Sequence, residues 1–166
     1  LGKAYLHAFK EVLMKNEMEW IQTLDADFSH APKYLPAMSK ASNDADVVIG
    51  SRYVAGGGTA GWPFRRRFLS KFANFYCKVI TGMPVSDTTA GFYLMRTKFM
   101  REAGLDNIKS NGHAFQVELK YRLRKKGARM VEIPVMLPDR NLGKSKMSIG
   151  VISESVWAPW KMRFNK

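Results

Sequence analysis

Cysteine is all but missing from these 166 residues: Cys77 stands alone. A disulfide within the chain is therefore excluded, and a reducing, cytoplasmic setting fits. Cys77 itself reads as a small apolar filler on a helix beside Phe75 and Val79. Acidic side chains are scarce too, 14 against 27 lysines and arginines, so the formal charge is +13. Such a balance leaves anionic partners: nucleic acid, an anionic membrane surface or phosphorylated ligands. No apolar run is long enough to cross a bilayer, and no signal peptide is visible at the start. Internal repeats and low-complexity tracts are absent as well. The chain opens on Leu1, directly into a helix-like pattern with Leu6, Phe9, Val12 and Leu13 on one face, which suggests a piece of something longer.

What is present suffices for one domain with a sizeable core, at 46% hydrophobic residues. Periodicity predicts helix over 3–16, strand over 20–25, helix over 32–42 and strand over 46–51. The glycine-rich segment Gly56–Gly61 predicts a flexible loop. A helix follows from Arg66 to Ile80, then a turn at Gly82-Met83-Pro84 and a strand from Gly91 to Arg96. A short helix over Thr97–Ala103, a longer one over 113–126, a strand over Arg129–Pro134 and an amphipathic helix over Ser148–Phe164 complete the chain. Alternating strands and helices mean an α/β fold with a mostly parallel sheet. Nucleotide-binding domains of this class open with further strand units, so the sheet is expected to be N-terminally incomplete.

The chemistry starts at Asp25 and Asp27, which close the apolar run Trp20–Leu24. Carboxylates at the carboxyl end of a strand sit where open α/β sheets bind ligands. Alternation along an extended backbone would point both to the same side. Paired hard oxygens of this kind hold Mg²⁺ or Mn²⁺, which in turn holds a diphosphate. The alternative is that Asp27 caps the following helix, or that the pair ends a strand in solvent. His30 and His113 lack metal-ligand partners at useful spacing and read as structural.

Four further stretches narrow the choice: Gly50-Ser51-Arg52-Tyr53; Gly61-Trp62 with Arg65, Arg66, Arg67 and Ser70; Ser86-Asp87-Thr88-Thr89-Ala90-Gly91-Phe92; and Asp139-Arg140-Asn141-Leu142-Gly143-Lys144-Ser145-Lys146. In this order and spacing, the chain resembles family 2 glycosyltransferases that act on polyprenyl phosphates, and within them the dolichyl-phosphate (polyprenyl-phosphate) mannosyltransferases. The resemblance runs over essentially the whole chain, and its specific parts are the blocks Asp-Ala-Asp-x-Ser-His-x-Pro and Arg-x-x-Gly-x-Ser-Lys. It implies a GT-A, Rossmann-like fold and transfer of mannose from GDP-mannose to dolichyl or polyprenyl phosphate, by direct attack that inverts the anomeric centre. It also implies upstream strands for the nucleotide that this chain does not carry, so that the isolated chain would bind GDP weakly and turn over slowly.

A phosphate monoester is anionic near neutral pH, so the attacking oxygen needs positioning more than deprotonation. Guanidinium forks match phosphate oxygens, and Arg66 and Ser70, four apart near a helix start, share one face. The resemblance places the acceptor phosphate at Arg52, Arg66 and Ser70; the alternative for Arg65–Arg67 is a solvated basic turn. It counts Asp87, with Asp27 and Arg52, among the catalytic residues and places it beside the sugar and acceptor, where the alternative is a turn aspartate bonding the backbone of Thr89. It brings Gln116 toward the donor sugar, with Glu118 pairing with Arg122, and closes Arg140 and Lys146 near the diphosphate, where the alternative is a basic linker. At Ser29 relatives often carry a glutamine that reaches the metal, so a third protein ligand is in question here.

Residues 1–146 thus read as a partial catalytic domain and 147–166 as a helix packed on it or on a membrane. That helix sets Ile149, Ile152, Val156 and Trp160 on one side, widened by Val151, Trp157 and Phe164, with Lys161, Arg163 and Lys166 following. Tryptophans beside cations suit a peripheral, interfacial helix. Two rival readings stand beside this one. A polyprenyl-phosphate glucosyltransferase using UDP-glucose keeps the fold and changes the sugar. A basic nucleic-acid-binding module accounts for the charge but gives the aspartate pair no purpose, and nucleic acid is not an expected partner.

Overall fold

A computed structural model describes residues 2–27, 29–110, 112–139 and 149–164, the last helix by its side chains from residue 155 onward. Helix α1 (Gly2–Lys15) leads to strand β1 (Trp20–Thr23), a 3₁₀ turn at Pro32–Tyr34 and helix α2 (Leu35–Ala41). Strands β2 (Val47–Ser51) and β3 (Gly58–Ala60) precede the long helix α3 (Phe64–Thr81). Then come β4 (Tyr93–Arg96), α4 (Thr97–Glu102), α5 (Gly112–Lys125), β5 (Met130–Pro134), β6 (Met136–Pro138) and α6 (Ile149–Phe164).

The main sheet has four strands in the order β1-β4-β2-β5. The parallel pairing is β2 with β5; β4 runs antiparallel to both β1 and β2. The sheet is therefore mixed: β1, β2 and β5 share a direction and β4 lies reversed between two of them. All five residues of β2 are buried, as a central strand covered on both faces must be. Val47 and Ile49 join the larger core with Phe9, Tyr93, Met95, Phe115 and Leu119. Val48 faces the other side, with Met38, Phe92 and Val135 beneath α2. Each such side chain contributes about 1.5–3 kcal/mol of burial.

The glycine-rich segment is not the loop its composition suggested. Gly58–Ala60 forms β3 and pairs in parallel with Met136–Pro138. Glycine is needed just before it, because a Cβ on Gly57 would lie 2.4 Å from the Ser51 carbonyl oxygen. That close approach folds the chain back on the end of β2 and leads into β3, which lies with β6 in a separate two-stranded sheet.

Helix α5 is buried over nearly its whole length, from Ala114 through Tyr121 and again at Leu123. It carries Gln116, Glu118 and Lys120 into the interior along with its apolar residues. Helix α6 packs against α3 and α5. Its inward residues are Ala158 and Pro159, with Met162 against the larger core. Val156, Trp157, Trp160 and Phe164, expected on its apolar side, are exposed. Ile149, Val151 and Ile152 belong to the same expected face, and their side chains lie outside the described residues. Among the described residues, no helix is long and apolar enough to cross a membrane.

Candidate active site

Strand β1 ends at Thr23, two residues before Asp25, and Ala26 and Asp27 lie in a turn. The two carboxylates are therefore not set side by side by strand alternation. Asp27 Oδ1 accepts the Ser29 backbone N–H at 3.1 Å, a local bond that closes the turn. The Asp25 backbone N–H donates to His30 Nδ1 at 2.7 Å, which fixes that ring nitrogen as an acceptor. His30 is buried and stacks on Phe92 with ring centres 4.8 Å apart. It is a structural histidine, and what it holds in place is the aspartate turn.

Asp25 faces Gly91. A Cβ built there would come 3.9 Å from Asp25 Oδ1, 3.9 Å from Gln116 Nε2 and 3.7 Å from His30 Cε1. Three polar side chains thus converge on a position without one. Gln116 is buried, and its Oε1 accepts from the Tyr93 hydroxyl. Tyr5 on α1 also bonds Gln116, and burial, with the nearby Asp25 charge, raises its phenol above the usual range. Glu118, two residues along, turns away and pairs with Arg122 at 2.8 Å, the i,i+4 partner expected of it.

Gly91 ends the loop Asp87–Gly91, whose other end meets the arginines. Asp87 is fully buried and takes a forked contact from Arg52: Nε to Oδ2 at 2.7 Å and Nη2 to Oδ1 at 2.6 Å. The Arg52 backbone N–H adds a third bond at 2.9 Å. Burial works against the Arg52 charge, but Asp87 outweighs it and the pKa rises. Asp87 is thus a partner of Arg52, and the Thr89 backbone N–H goes to Asn74 Oδ1 at 2.9 Å instead. The fork commits one edge of Arg52, so a phosphate would meet this residue on Nη1.

Arg66 and Ser70 stand one turn apart on α3, as the spacing required. The Arg66 guanidinium lies 3.7 Å from the centre of the Trp62 ring and pairs with Asp139 at 2.5 Å. Arg52 approaches the same ring at 5.6 Å. The Tyr53 hydroxyl donates to Ser70 Oγ at 2.7 Å. Trp62, Tyr53 and Asp139 therefore tie the three predicted phosphate ligands into one neighbourhood. An open groove of about 490 Å³ runs past it, walled by Arg52, Tyr53, Phe64, Phe68, Lys71 and Met136 among others. Arg140 and Lys146 lie outside the described residues.

Several residues that shape the site escaped the sequence reading. Asn74 receives Thr88 Oγ1 and the Thr89 N–H and donates to Thr89 Oγ1. Glu132 on β5 accepts the N–H groups of Ser86 and Asp87 at 2.7 and 2.8 Å. Lys120, fully buried, donates to the Ala90 carbonyl at 2.7 Å and stands 4.5 Å over the Tyr93 ring. Burial pushes its ammonium down to about 7, against the pull of Asp87. A signal existed for two of them. Asn74 extends the i,i+4 row of Arg66 and Ser70, and Lys120 extends that of Gln116.

A sequence profile of glycosyl transferase family 2 matches residues 1–104, which span the aspartate pair, Arg52, Arg66, Ser70 and Asp87. The chain belongs to glycosyl transferase family 2. Within the family it is similar to the undecaprenyl-phosphate mannosyltransferase of Micrococcus luteus, with 39% identity over 156 residues, 94% of this chain and 64% of the relative. It is equally similar to the polyprenol monophosphomannose synthase of Mycolicibacterium smegmatis, at 39% identity over 98% of this chain and 62% of that protein. The chain thus spans a little under two thirds of the length of either relative. The mixed α/β architecture agrees with the GT-A fold expected of family 2.

Proposed function

We propose that this chain contributes the catalytic machinery for transfer of mannose from GDP-mannose to a polyprenyl or dolichyl phosphate, with inversion at the anomeric carbon. One observation carries the reading: the short loop Asp87–Gly91 joins a carboxylate corner, Asp25 with Gln116, to an arginine corner, Arg52 with Asp87. A donor diphosphate and an acceptor phosphate each need such a corner, and the two must lie within a sugar's reach. The names of both relatives support the choice of sugar and of lipid.

Asp25 and Asp27 are the residues that would hold Mg²⁺ or Mn²⁺. Among the described residues, no cluster of three or more His, Cys, Asp or Glu side chains is placed to hold an ion. Asp25 Oδ1 borders the space at Gly91, and a pair of carboxylates is a ligand set such ions accept, since they complete their shells with water and substrate phosphates. When bound, the ion supplies positive charge against the departing diphosphate. Gln116 Nε2 borders the space left by Gly91, where a donor hydroxyl would find an amide, and Arg140 and Lys146 are assigned to the diphosphate. On the acceptor side, Arg52 Nη1, Arg66 and Ser70 orient the lipid phosphate for in-line attack. Asp87 serves by fixing Arg52. The indole N–H of Trp62 is buried without a hydrogen-bond partner among the described residues, and a bound phosphate oxygen would satisfy it.

The lipid acceptor places the work at a bilayer, on its cytoplasmic face. Exposed Phe64, Phe68, Phe72, Phe75 and Val79 form one stripe along α3, the helix that carries Arg66 and Ser70. With exposed Trp157, Trp160 and Phe164 on α6, they support a peripheral seat on an anionic surface. The test supplies labelled GDP-mannose or UDP-glucose, with Mn²⁺ and vesicles containing polyprenyl phosphate, to the full-length protein. Mannosyl transfer that Asp25→Asn and Asp27→Asn abolish is expected; transfer from UDP-glucose alone would reject the mannosyl assignment.

A further inference from the structure

Lysine is among the residues least often fully buried, and Lys120 is buried completely. Its aliphatic stem suits the interior of α5, but its ammonium is costly there: three donors and a charge have left water. For stability alone, an apolar side chain of the same length would serve as well or better. The position of the ammonium is the informative part. It lies beneath the Asp87–Gly91 loop and bonds the carbonyl of Ala90, the residue directly before Gly91.

Each of the loop's other anchors comes from a different element. Arg52, after β2, holds Asp87; Glu132 on β5 holds the N–H groups of Ser86 and Asp87; Asn74 on α3 holds Thr88 and Thr89. Thr23 on β1 bonds the Gly91 carbonyl at 2.8 Å. Lys120 is the tie to α5, and one turn earlier the same helix presents Gln116 to Gly91. The groups facing the ammonium are Asp87 and Arg52 from above, Cys77 from α3 and Tyr93 from β4.

We propose that Lys120 is a positioning residue for the transfer reaction: by holding the Ala90 carbonyl it sets the height of Gly91 against Asp25 and Gln116, and so aligns the donor corner with the Arg52 corner. The inference rests on the proposed function for its kinetic consequence and on the fold alone for its structural one.

The experiment compares the full-length protein with Lys120→Met, which keeps the stem and removes the ammonium. Three readouts are taken: thermal unfolding, amide exchange over residues 87–91, and kcat and KM for the nucleotide sugar. The expected result is unfolding at the same or a higher temperature, with exchange about tenfold faster in the loop alone. Alongside, kcat should fall about tenfold or more while KM stays within about twofold. Unchanged loop exchange and unchanged kcat would overturn the proposal. So would faster exchange across the whole chain with a lowered unfolding temperature, since that marks a merely structural lysine. If the wild type transfers no sugar, the functional reading fails on its own, and loop exchange decides the structural claim: faster in the loop alone upholds it, unchanged or global exchange rejects it.

Discussion

Asp87 and Arg52 show how much of this site is internal scaffolding. Both were candidate catalytic residues in the sequence, yet their strongest contacts are with each other, at 2.6 and 2.7 Å, with side-chain exposures of 0% and 11%. Asp87→Asn leaves the guanidinium buried without its counter-charge and should cost about 3–5 kcal/mol, measured by urea unfolding. Lys120 should add a pH dependence to stability above neutrality. Its folded pKa is about 7 against an ordinary 10.5, lowered by burial. Between those values the unfolded chain holds the proton and the folded one does not, so stability should rise with pH across that window; below about pH 7 both states are protonated and the slope vanishes. Unfolding of wild type and Lys120→Met, compared at about pH 6 and pH 9, should show the wild type gaining and the variant gaining less.

At the scale of elements, α3 has two jobs on two faces. One row presents Arg66, Ser70 and Asn74 to the site, and Cys77 lies in the core, where burial pushes its thiol up to about 11. The opposite row leaves Phe64, Phe68, Phe72, Phe75 and Val79 exposed. Replacing Phe68 and Phe72 together by serine should leave stability within about 0.5 kcal/mol each, since neither packs inward. Binding to phosphatidylglycerol vesicles, followed by flotation, should weaken about tenfold or more. Helix periodicity located α3 to within two residues at either end, but it gave no warning of this stripe. A run such as Phe64–Thr81 shows which residues share a face; it does not show which face meets the core. The same ambiguity turned α6, whose inward residues Ala158, Pro159 and Met162 are not the ones its larger side chains suggested.

For the molecule as a whole, the α/β class and the order of every element but β3 and β6 were legible because strand and helix periods differ. Two things were not. The reversal of β4 depends on pairing partners far apart in sequence, Tyr93–Met95 with Ile49–Val47, which no local pattern encodes. The strand character of Gly58–Ala60 is likewise conferred by Met136–Pro138, almost eighty residues on. The candidate site was legible where side chains carry their own chemistry, as at Asp25, Arg52 and Arg66. It was fainter at Asn74 and Lys120, marked only by helical spacing, and opaque at Glu132, which acts through backbone N–H groups of another segment. The loop those residues support also constrains how this protein can change. Under the proposed function, five consecutive residues serve two clients at once, so a substitution that retunes preference for one substrate displaces the surface offered to the other. On that reading, variants selected for a new lipid should arrive with altered affinity for the sugar nucleotide, and the two preferences should drift together rather than separately.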